Sequence, residues 1–257
     1  TYAAGSTWMG AHFVKAFGER HTMAVGAQYM NYGKMDETDE AGNTLGQFSA
    51  KDIVIGAGYS YLLSDRWTGG ANLKMMVSNL ADYTALAAAI DVGVNYYDDE
   101  NDLSVSASLQ NIGTQLKAYH DGQRTHLPFT LALGFSKGMA HLPVRFHVTM
   151  TDVTRWKSSY YVLPENKDKD KSDKVGFGKI ALNHFVLGLD ILPTDYLYLS
   201  VGYNFRRAYE LKASGSSHLA GLSAGAGVNV KHFKFGVSYA KYHQASNSIM
   251  ANVGYAF

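Results

Sequence analysis

Apolar side chains recur at every second position through one stretch after another of this chain, with small or polar residues between them. Phe233, Phe235, Val237 and Tyr239 alternate with Lys234, Gly236, Ser238 and Ala240. Ile249, Ala251, Val253, Tyr255 and Phe257 alternate with Met250, Asn252, Gly254 and Ala256. A period of two is the geometry of an extended strand, whose successive side chains point to opposite faces. The pattern recurs around Met23, Ile55, Leu73, Ile90, Val105, Leu133, Phe146, Leu187 and Val201. With 8–17 and 222–230 added, it predicts about thirteen strands and an all-β fold.

Two all-β architectures could use such a pattern. A soluble sandwich buries its apolar face, whereas a membrane barrel turns it to lipid and keeps small and polar residues inside. Strand length, face chemistry and end chemistry all favour the barrel. The alternating runs often reach about ten residues, enough for a tilted strand to cross the hydrocarbon. Their polar face carries Gly, Ser, Ala and Asn rather than the Lys and Glu of a solvated surface. Aromatic residues gather near strand ends, as in Tyr59 with Tyr61 and Tyr203 with Phe205, where an interfacial girdle belongs. The chain is 46% hydrophobic with 26 glycines, which excludes disorder. It has no cysteine, which excludes a disulfide scaffold and a thiolate metal site. Its formal charge of +1 argues against a phosphate-tracking nucleic-acid binder. With few prolines and no low-complexity tract, 1–257 reads as a single barrel domain.

The connections give a second line of argument. Counted back from Phe257, tight links at 231–232, 192–195, 98–102, 64–65 and 18–20 fall on one side. The longer ones at 206–217, 152–180, 111–126 and 33–49 fall on the other. Outer-membrane barrels have short periplasmic turns and longer outer loops. Such bookkeeping makes the strand at 8–17 run inward from the outer surface. Because complete bacterial barrels have an even strand count, a barrel of about fourteen strands is expected, with the first strand missing from this chain. The ending at Tyr255 and Phe257 resembles the C-terminal assembly signal of outer-membrane barrels.

No nucleophile elbow, phosphate loop, dinucleotide fingerprint or zinc-protease motif is present, so no catalytic role and no cofactor are expected. Asp36, Glu37, Asp39, Glu40 and Gly42 miss calcium-loop spacing and read as a solvated loop. The Lys/Asp run at 165–174 reads as a loop tip. Arg155, Trp156, Tyr160 and Tyr161 form an aromatic and basic cluster that suits either a partner anchor or a cap on the barrel wall. Lys74, Asp91, Arg145, His147 and Asp190 fall on the polar face by alternation, where charges could pair across the lumen.

Within this pattern the segment 83–96, with Asp91 and Gly93 at its centre, resembles a strand of the PorV/PorQ group of FadL-like outer-membrane barrels. Leu109-Gln-Asn-Ile-Gly113, Leu127-Pro128 and Gly134 follow as in that group. His141-Leu-Pro-Val-Arg145-Phe-His-Val-Thr149, followed by Arg155-Trp156, is similar to its PorQ-like members. The similarity spans roughly the middle and C-terminal two-thirds. It implies a non-enzymatic barrel of the type IX secretion attachment complex in the outer membrane of Bacteroidota. The barrel would hold a PorZ-like surface protein by its outer loops, beside PorU and PorV, with outer-membrane lipid or lipopolysaccharide around it. A FadL-like transporter of fatty acids or other hydrophobic compounds is the competing expectation. It would need apolar residues on the lumen face, for which Met30, Met76 and Met250 are the candidates. A water-filled porin constricted by 152–180 is a third.

Overall fold

The computed structural model describes residues 6–119, 124, 126–157, 176–210, 220–243 and 246–257. They form thirteen strands: β1 (Thr7–Phe17), β2 (His21–Thr38), β3 (Thr44–Ser64), β4 (Trp67–Leu80), β5 (Tyr83–Asp98), β6 (Leu103–Lys117) and β7 (Thr130–Gly138). Then come β8 (Val144–Met150), β9 (Phe185–Thr194), β10 (Leu197–Asn204), β11 (Leu222–Val230), β12 (Phe233–His243) and β13 (Ser246–Tyr255). Two short helices, α1 (Phe177–Asn183) and α2 (Phe205–Glu210), follow β8 and β10. The strands make one sheet in sequence order, β1 to β13, so each strand neighbours the next in the chain. By backbone proximity the chain divides into two compact units, Thr1–Asn95 with Ser108–Thr130 and Tyr96–Ala107 with Leu131–Phe257.

Exposure is the reverse of a water-soluble protein. Buried apolar side chains among the described residues are only Ala50, Ala85, Ala87, Ala89, Ile180 and Ala220. The large apolar residues of the alternating faces are exposed, Ile55 by 61% and Val253 by 70%. Leu73, Phe146, Val201 and Phe235 behave alike. A continuous band of this kind has no place in water and matches lipid. No described helix is long and apolar enough to cross a membrane, which says nothing about strands.

Three elements run past their sequence-based bounds. The expected 33–49 loop is mostly strand: β2 and β3 pair on through Asp36 with Gln47 and Glu37 with Gly46, leaving only 39–43 as the turn. Cross-strand polar pairs such as Gln47 Nε2 donating to Asp36 Oδ1 sustain this extension without apolar alternation. The expected 111–126 loop starts later, because β6 continues to Lys117. Its exposed apolar side chains shift from odd numbers (Val105) to even ones (Ile112 and Leu116) across Asn111. Asn111 has a φ of 61°. One extra residue in the left-handed region is the signature of a β-bulge, and it flips the faces of everything beyond it. The loops after β8 and β10 carry α1 and α2, whose seven and six residues are too short to show helical periodicity.

Candidate functional site

In the first unit the polar face is built on glycine. Rows of the sheet place His12 opposite Gly26, Gly26 opposite Gly56, and Gly56 opposite Lys74. The imidazole of His12 fills the space a side chain at Gly26 would need. A cavity of about 340 Å³ opens over this floor, with Lys74, Asp91 and Asn111 in its wall. Lys74 Nζ lies 2.8 Å from Asp91 Oδ1. The Asn111 backbone N–H donates to the same oxygen at 2.8 Å, and Asn72 Nδ2 donates to Oδ2 at 3.3 Å. Asn111 Nδ2 donates in turn to the Pro128 carbonyl. A bulge leaves backbone groups off the ladder, and a buried one needs another partner. Here Asp91 supplies it. Beyond the bulge, a Cβ at Gly113 would overlap the Ala88 carbonyl oxygen. The charged pair therefore ties β4, β5 and β6 along the wall, between adjacent strands rather than across a lumen.

The second unit has a counterpart. His147 Nε2 lies 2.8 Å from Asp190 Oδ2, and Ser200 Oγ donates to Asp190 Oδ1 at 2.7 Å. The carboxylate sits between imidazole and hydroxyl, so the serine proton points to Asp190 and not to His147. That order is a brace, not a nucleophilic relay, which would place the imidazole in the middle. Asp190 lies opposite Arg145 in the β8–β9 register, yet the Arg145 guanidinium turns to Asp102, with Nη2 2.9 Å from each carboxylate oxygen. The Gly138 N–H donates to the Asp102 carbonyl, so this pair fixes the short turn between β5 and β6 onto the end of β7.

At the end of the second unit where the longer connections lie, Asp152 has a φ of 53° and receives Arg206 Nη1 at 2.9 Å and Arg155 Nη1 at 3.6 Å. Arg206 Nε also donates to Glu210 at 3.0 Å. Trp156 donates its indole N–H to the Val153 carbonyl and stacks on Phe177 at 5.8 Å and 21°. Its other neighbour is the imidazole of His184, 4.3 Å away, which is buried and hydrogen-bonded to the Thr151 carbonyl. Phe177 remains 74% exposed. Tyr160, Tyr161 and the run 165–174 lie outside the described residues. Sequence reasoning missed Phe177, His184 and Arg206, since nothing in linear order brings them to Trp156.

Among the described residues no group of three or more His, Asp or Glu could hold a metal ion. The acidic loop residue Asp39 instead accepts the side-chain amide of Asn43 and the backbone N–H groups of Ala41 and Asn43. Its carboxyl is thereby held below the usual carboxylate range, the Asn43 side chain being the main cause.

No family model matches the chain, and no curated protein sequence matches it. A solved structure does: the toluene transporter TodX of Pseudomonas putida, with a TM-score of 0.56 at 13% identity, covering 95% of this chain and 80% of that one. The fold is that of a FadL-like antiparallel membrane barrel. Identity this low speaks to fold alone.

Proposed function

We propose that the chain is an integral outer-membrane barrel that anchors a PorZ-like surface protein in a type IX secretion attachment complex, beside PorU and PorV. The observation that carries this reading is the Trp156–Phe177 stack on its ion-paired support. An exposed aromatic pair held by a buried imidazole and two arginine–carboxylate bridges is pre-ordered, so docking loses little side-chain entropy. The resemblance of 141–149, followed by Arg155-Trp156, to PorQ-like proteins supports the partner's identity. The braces around Asp91 and Asp190 suit a rigid wall, and the role requires no catalytic group and no cofactor.

The test is a mild-detergent pull-down of the tagged barrel from its native outer membrane, with and without Trp156→Ala and Phe177→Ala together. Stoichiometric recovery of a PorZ-like surface protein, lost in the double variant, is the expected result. A barrel that arrives alone, or a partner held equally by the variant, contradicts it.

A second reading is transport of a hydrophobic compound, favoured by the cavity of the first unit, where Val54, Met76 and Leu127 join the polar groups. Retention of fatty acid by the purified barrel, with no protein partner, would favour it.

A further inference from the structure

We infer that the polar face of the second unit holds a binding site for a neutral, polyhydroxylated ligand, a saccharide. One row of the sheet runs Tyr198, Gly227, Gly236, Asn252 across β10 to β13. The Tyr198 ring lies over Gly227, in the space a side chain there would fill. The Tyr198 hydroxyl and Asn252 Oδ1 both reach the space above Gly236, one from each side. Neither makes a hydrogen bond to a protein group among the described residues. The two side chains thus close over the buried Gly236, and both line a trough of about 460 Å³, with no hydrogen-bond partner among the described residues.

The rest of the lining sets the chemistry. The next row adds Ser200, Gly225 and Ser238, and the trough also takes in Ser223 and Thr149 beside the apolar Val186 and Met250. Hydroxyls of this kind donate and accept, as do the hydroxyls of a sugar. The one carboxylate in the lining, Asp190, already accepts Ser200 Oγ and lies 2.8 Å from His147 Nε2, so both of its oxygens are engaged within the protein. The half-buried ring of Tyr198, which lines the trough, provides an apolar surface on which a sugar's C–H face packs. The size lies within the range of small-molecule sites. A hydrocarbon would leave the hydroxyl and amide unpaired, which costs affinity.

The experiment is saturation-transfer NMR on the folded barrel in a detergent without a sugar headgroup, with glucose, galactose, mannose and N-acetylglucosamine as probes. Saturable binding of at least one probe is expected. It should weaken about tenfold in Tyr198→Phe, which keeps the ring on Gly227 and removes only the hydroxyl, and again in Asn252→Leu. Either substitution suffices if the other fails to assemble. No saturable binding by any of the four, or equal binding by wild type and a folded variant, overturns the inference.

Discussion

The backbone N–H of Asn111 donates to Asp91 Oδ1 at 2.8 Å, so a side chain on one strand completes the hydrogen bonding of a bulge in the next. That oxygen also lies 2.8 Å from Lys74 Nζ. A carboxylate at a bulge is often read as a ligand or pore group. This one is engaged by three groups of its own chain, from β4 and β6.

Removing the carboxylate in Asp91→Ala should cost about 1.5–3 kcal/mol, the range for hydrogen bonds to a charged group. Asp91→Asn keeps an acceptor and should cost less. Urea unfolding in lipid vesicles, followed by tryptophan fluorescence, reads both. An Ala variant with the wild-type midpoint would mean that the bulge N–H has another acceptor.

Glycine matters at Gly113 and not at Gly178. A Cβ at Gly113 meets backbone, the Ala88 carbonyl and Ala89 Cα, which cannot swing aside. A Cβ at Gly178, in α1, meets nothing within 4 Å. Gly113→Ala should prevent assembly of a heat-modifiable barrel, as judged by gel mobility before and after boiling. Gly178→Ala should assemble normally, with a gain of up to about 1 kcal/mol in helix preference.

Asp39 should carry a small acid-sensitive contribution to the β2–β3 hairpin tip. Its folded-state carboxyl titrates below the unfolded value, chiefly through the Asn43 side chain. The stabilisation is therefore present above the unfolded value and is lost as pH falls through the folded one. Carboxyl carbon shifts should show a titration below that of a free aspartate, moving up in Asn43→Ala. An identical titration in both proteins would remove Asn43 as the cause.

The strands were legible because a lipid-facing surface forces apolar residues to every second position. Met23, Ile55, Phe235 and Val253 mark the exposed face without any structure. What stayed hidden depends on pairs. The flip at Asn111 looked like the end of β6, since a bulge destroys the alternation that reveals a strand. The extension of β2 and β3 rests on Asp36 and Gln47 meeting across the hairpin, 11 residues apart. The Tyr198–Asn252 row spans four strands, and only the register brings those two side chains over one glycine. Sequence adjacency groups Trp156 with Arg155, Tyr160 and Tyr161; among the described residues the rings against it are Phe177 and His184, which linear order does not bring to it.

The central claim is that the exposed apolar face lies in lipid. The most direct measurement is a single-cysteine spin-label scan along β12, from 233 to 240, in reconstituted vesicles; the chain has no native cysteine to interfere. Labels at Phe233, Phe235, Val237 and Tyr239 should be accessible to oxygen, and those at Lys234, Ser238 and Ala240 to a water-soluble nickel reagent, with a period of two. Apolar positions accessible to the nickel reagent, or shielded from both reagents, would contradict the account.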